Sequence, residues 1–143
     1  MAAILLLEDG RGLNRSNLGY CGMLHMISLE VSDSHAKFRA WLADMAERTP
    51  PFCEIDLRGL ADEHRQEFWY ASQRALAKLI ERRGPESSWP DNMYAGESLA
   101  HLLKMHQSIQ AGKPPSALND LDRIVRFSGI AENLDELWGV TDA

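Results

Sequence analysis

The stretch Asp62–Arg83, DEHRQEFWYASQRALAKLIERR, runs into Gly84-Pro85 and has a start, a face and a stop. At 100° per residue, Phe68, Ser72, Ala75, Leu76 and Leu79 share one sector, with Trp69 and Ile80 at its flanks. Glu67, Arg74, Lys78 and Glu81 fall on the opposite side. Asp62 is placed to cap the first turn, and Glu63 adds charge of the favourable sign. Arg82 and Arg83 suit the last turn, Gly84 suits a left-handed residue after it, and Pro85 prevents continuation. This spacing predicts the main helix of the chain, burying Phe68, Leu76, Leu79 and Ile80.

Working outward, residues 2–7 (AAILLL) are too short for a stable helix and read as a buried strand. Residues 8–10 supply turn chemistry, and residues 11–17 (RGLNRSN) read as polar and irregular. In residues 18–32, Tyr20, Met23, Leu24, Ile27 and Val31 have helical spacing, capped by Ser16 or Asn17. Ile27, Leu29 and Val31 also alternate as a strand would, and helix is the favoured reading. Ser32, Asp33 and Ser34 then cap a helix with the stripe Phe38, Trp41, Leu42 and Met45, which Thr49-Pro50-Pro51 ends. Residues 52–57 (FCEIDL) alternate as a second strand, to be paired with residues 2–7. Residues 85–96 read as a loop. Ser98 is placed to cap a helix with Leu99, Leu102, Leu103, His106 and Ile109 inward. Ser116 opens a fifth helix and Asn133 a short sixth. The expected fold is mainly α: one globular domain over residues 1–143, a compact bundle of five or six helices with a small two-stranded sheet.

Composition narrows the classes. The 143 residues are 45% hydrophobic with four Trp, enough for a real core and against disorder. The net charge of −6 disfavours nucleic acid and suits a basic partner. No apolar run approaches a membrane span, and residues 2–7 lack the basic flank of a signal peptide. Cys21 and Cys53 form no C-x-x-C pair and read as reduced thiols of a cytoplasmic protein.

Candidate chemistry is sparse. His106 lies within an apolar stripe, where a core histidine with one hydrogen bond is the plain expectation and a catalytic role the sharper one. His101 lies roughly 140° away around that helix, so the two share no metal ion. Cys21 and His25, four apart, would make a thiolate–imidazole pair if the thiol were activated. His64 and Glu67 reverse the order used in di-iron helices. No cofactor and no metal are therefore expected. Arg11 and Arg15, ahead of a helix start, form a candidate anion site. Tyr70 points away from the inward sector of its helix, an exposed aromatic among charges and a candidate contact anchor. Trp89 and Tyr94 are of the same sort unless they fold back over the core. Asp120, Asp122, Asp135 and Glu136 belong to the most acidic part of the chain, a candidate docking face for a basic partner.

The motifs of hydrolases, zinc proteases and nucleotide-binding loops are missing. The reading that remains is a small acidic protein-binding module. Its analogy with the bacterial immunity proteins, which block a toxin's active site, is one of size and charge. The alternative is a small enzyme using Cys21/His25 or His106.

Overall fold

The computed structural model describes residues 2–112 of the chain. Residues 2–7 do supply a strand, β1 (Ala2–Leu6), whose Leu5 and Leu6 are fully buried. Residues 11–17, expected to be irregular, instead contain β2 (Gly12–Ser16). It pairs antiparallel with β1, Leu5 opposite Leu13 and Ala2 opposite Ser16. Only Leu13 in this strand is a large apolar residue, which is why period-2 alternation did not reveal it; an edge strand needs just one buried face. β3 (Ile55–Asp56) pairs parallel with β1, Leu5 opposite Ile55. The sheet order is β2-β1-β3, so the expected two-stranded sheet is one strand short. Residues 52–57 do not form a full strand. Glu54 Oε2 accepts the Ile4 N–H at 2.8 Å, occupying with a side chain the place a third ladder residue would take.

Helix α1 (Asn17–Glu30) settles residues 18–30 as helix, and Val31 beyond it is extended. Ser16 caps it, its hydroxyl accepting the Gly19 N–H at 3.2 Å. A single 3-10 turn, Asp33–His35, leads into α2 (Ala36–Ala46), which buries Phe38, Leu42 and Met45. Helix α3 (Asp62–Arg83) has the expected bounds and ends at Gly84 with φ +81°, a conformation only glycine adopts at low cost. Asp62 is not its cap: Ala61 holds that position, and the Asp62 carboxylate pairs with Arg65 instead. Ile80 is exposed and Leu76 only partly buried, whereas Glu67, read as outward, is buried. Helix α4 (Tyr94–Gln110) starts four residues before Ser98, whose hydroxyl donates to the Tyr94 carbonyl at 2.8 Å within the helix.

Four helices thus stand among the described residues, and the fold there is mainly α. The helices expected from Ser116 and Asn133 lie outside those residues. The packing centre is α1 rather than α3. It lies against α2, α3 and α4 alike and contributes Tyr20, Met23, Leu24 and Ile27 to the core, all fully buried. Two glycines permit this. A Cβ on Gly22 would come within 2.7 Å of the Ala95 Cβ, and one on Gly19 within 2.9 Å of the Ser98 Oγ. The first turns of α1 and α4 therefore touch backbone to backbone, beside β2.

Candidate interaction surface

Where β2, α1 and the start of α4 meet, three depressions run into one another. The first, about 660 Å³, is a polar cleft lined by Arg15, Glu86, Asp91, Glu97, His101 and Lys104, with Trp89 at one wall. The second, about 430 Å³, shares Arg15 and Glu97 with it and adds Asn14, Ser16 and Tyr94. The third, about 330 Å³, shares Tyr94 and is apolar, with Leu18, Met26 and Met93 around Gly22. The result is a strip: charged at one end, apolar at the other, with the exposed ring of Tyr94 between them.

The polar end is incompletely paired. Lys104 Nζ meets Glu86 Oε2 at 3.3 Å. Among the described residues Asp91 and Glu97 make no ion pair. Arg15 Nε and Asn14 Oδ1, on the edge strand, are buried and have no hydrogen-bond partner. Burial holds the His101 imidazole below its ordinary pKa, and the nearby Arg15 and Lys104 charges add to that while Glu86 opposes it. A neutral imidazole, a guanidinium with a spare donor and two unpaired carboxylates are recognition chemistry.

Arg11 and Arg15 are not brought together as an anion site. Arg11 is buried against Asp9, Nε to Oδ2 at 2.6 Å, so its charge already has a counter-ion, while Arg15 belongs to the cleft. Tyr70 is exposed as expected, on α3, with Gln66 Nε2 3.4 Å from its hydroxyl. Trp89 folds back to the core, its indole N–H donating to the Gly84 carbonyl at 2.9 Å, whereas Tyr94 stays outside. Asp120, Asp122, Asp135 and Glu136 lie outside the described residues.

Cys21 and His25 are not brought together as a pair. Cys21 Sγ donates to Asn17 Oδ1 at 3.2 Å, not to His25, which is exposed. Burial pushes the Cys21 thiol up, and burial with the neighbouring Cys21 and Glu54 pushes Cys53 up to about 12. Both shifts are opposite to those of an activated thiol. His106 is buried and stacked on Trp69, ring centroids 3.7 Å apart, and its Nδ1 has no hydrogen-bond partner. Burial lowers its pKa as well. The Trp69 indole N–H in turn donates to Glu8 Oε1 at 3.0 Å.

Sequence reasoning missed most of the strip. Arg15 stood out as a spare cation near a helix start, but Glu97 and His101 join it from more than 80 residues away, a distance no local spacing spans. Away from the strip, His35, Glu63 and His64 are the described side chains whose donor atoms converge as metal ligands would. No helix among the described residues is long and apolar enough to cross a membrane. No protein-family model, curated protein or solved structure matches the chain.

Proposed function

We propose that this chain is a small acidic binding module that neutralises or escorts a basic partner protein, in the manner of immunity and inhibitor proteins. The observation that carries the reading is the strip, in which an exposed tyrosine and an apolar groove adjoin carboxylates that have no counter-ion. An apolar centre with an aromatic anchor and a polar rim is the anatomy of protein interfaces. Asp91 and Glu97 supply negative charge where a basic surface would arrive, and the net charge of −6 steers it from a distance. The C-terminal acidic residues Asp120, Asp122, Asp135 and Glu136 would add to that steering. Free Cys21 and Cys53 are in keeping with action in the cytoplasm.

The test is co-purification from the native host at low and high salt, followed by titration with the recovered partner. A basic protein should be recovered at low salt and lost as salt rises. Tyr94→Ala should weaken its binding by about thirtyfold, as loss of an anchor worth about 2 kcal/mol does. Glu97→Lys should slow association, and Tyr70→Ala should leave binding unchanged. Recovery of the chain alone at every salt concentration would defeat the proposal. Unchanged affinity in Tyr94→Ala would remove the strip from it.

A further inference from the structure

Away from the strip, the 3-10 turn Asp33–His35 meets the first turn of α3 through His35 and His64. His35 closes the 3-10 turn, and Glu63 and His64 are the second and third residues of α3. One donor atom from each of the three lies within 4.8 Å of the other two. His64 Nε2 is 3.7 Å from Glu63 Oε1. The two imidazole rings meet edge to face, centroids 6.3 Å apart.

The geometry points to a binding site for a borderline divalent cation, Zn²⁺ foremost, held by His35, His64 and Glu63. Two imidazoles and a carboxylate are the donor set of three-ligand zinc sites that keep a fourth position for water. With metal–donor bonds of about 2.0 Å, tetrahedral donors stand about 3.3 Å apart, so these three would close by about 1.5 Å at most. Two of them are free to do so. Glu63 is exposed, and His35 sits at the end of a short turn.

His64 is the fixed member. Its ring is stacked on the buried Phe38, centroids 4.8 Å apart and planes 4° from parallel, so one ligand is pre-positioned. His64 also has a buried Nδ1 with no hydrogen-bond partner, so the ring lacks a protein contact that would compete for it there. The surroundings suit a cation. Asp62, itself paired with Arg65, and Glu63 stand at the positive end of α3. Glu67, one turn further on, acts electrostatically on His35, and its carboxylate accepts the Ser32 N–H at 2.8 Å just before the 3-10 turn. A bound ion would tie the α1–α2 connection to α3.

The test uses the full chain stripped with a chelator and titrated with Zn²⁺ in a calorimeter at neutral pH. One ion per chain is expected. His35→Ala, at a half-buried position with no ring hydrogen bond, should weaken binding at least about tenfold. His64→Phe keeps the stack on Phe38 and should do the same. Cys21→Ser should bind as wild type does. Zinc should raise the melting temperature of wild type and not that of His35→Ala, because only the bound folded state is favoured. Co²⁺ should give visible absorption that both histidine variants lose. Equal zinc affinity in wild type and His35→Ala would overturn the proposal. So would loss of binding in Cys21→Ser, or no binding below roughly 1 mM Zn²⁺.

Discussion

Along the seam between α1 and α3, Glu67 accepts the Ser32 N–H at 2.8 Å and pairs with Arg74 at 2.7 Å. Arg74 also donates to the Glu30 carbonyl at 2.8 Å, and Lys78 meets Glu30 Oε1 at 3.0 Å. In the cleft between β2 and α4, Arg15 Nε and Asn14 Oδ1 are buried with no partner, and among the described residues Asp91 and Glu97 make no ion pair. Both regions carry charge into the protein. In the seam each charge is answered by the fold itself, which is how a structural network earns its place. The cleft holds groups whose desolvation the fold has not offset, and a partner is what would complete them.

The comparison breaks most visibly at Glu67. Burial raises its pKa, but the Ser32 N–H and Arg74 outweigh burial and hold it below the ordinary carboxylate value. Glu67→Ala strands the Ser32 N–H and leaves Arg74 beside Glu30 alone. Arg74 is partly exposed and recovers some solvation, so the cost should be about 2–3 kcal/mol rather than the full value for a buried pair. Urea denaturation of both proteins measures it. A loss below about 0.5 kcal/mol would mean that the seam is decoration and the contrast with the cleft is empty.

Arg15 should respond the other way. Arg15→Met removes a buried donor that has no acceptor and keeps most of the stem that packs in the cleft. Stability should hold or rise by up to about 1 kcal/mol, while affinity for the partner falls. A stability loss above about 1 kcal/mol would show that the guanidinium is already satisfied within the chain.

How much of this the sequence displayed depended on how many local signals agreed. For α3 the apolar stripe, the acidic first turn, the basic last turn and Gly84-Pro85 all coincided, and its extent was readable although its cap is Ala61 rather than Asp62. Glu67 was misplaced because a helical wheel ranks faces by polarity, and nothing local says that Arg74 and the Ser32 N–H will converge on a carboxylate. Ile80 was misplaced for the converse reason: it is apolar, yet it lies on the exposed side of the end of α3. The first turn of α4 hid behind Pro90 and Gly96, residues that read as loop, although Gly96 is buried where Leu79 and Trp89 approach within 3.2 Å of its missing Cβ. Of the candidate site, Arg15, the cap Ser16 and the loop aromatics Trp89 and Tyr94 were visible beforehand. Their partners come from other elements, and long-range approach leaves no trace in spacing.

The smallest effect concerns two histidines on α4, one from each kind of setting. His101 stands in the cleft, and His106 is packed on Trp69 in the core. Both have folded-state pKa values below the ordinary 6.5, His106 through burial and His101 through burial plus Arg15 and Lys104. The unfolded chain therefore takes up protons near pH 6.5 that the folded chain refuses until lower pH. Stability should fall as pH drops below about 6.5 and level off once the folded-state values are passed. Glu8 and Glu54 work in the opposite sense. Burial raises both, so the folded chain binds their protons first and recovers some stability as pH falls further toward 4.5. Thermal melts from pH 7.5 to 5.5 isolate the histidine part. His106→Phe keeps an aromatic ring on Trp69 and should flatten the slope without abolishing it, because His101 still titrates. A bound basic partner should steepen what remains if the cleft is its seat, because deeper burial and added positive charge both disfavour the His101 imidazolium. A slope unchanged by His106→Phe would mean that the imidazole takes up its proton at the same pH in the folded and unfolded chain, so that packing on Trp69 does not hold it neutral.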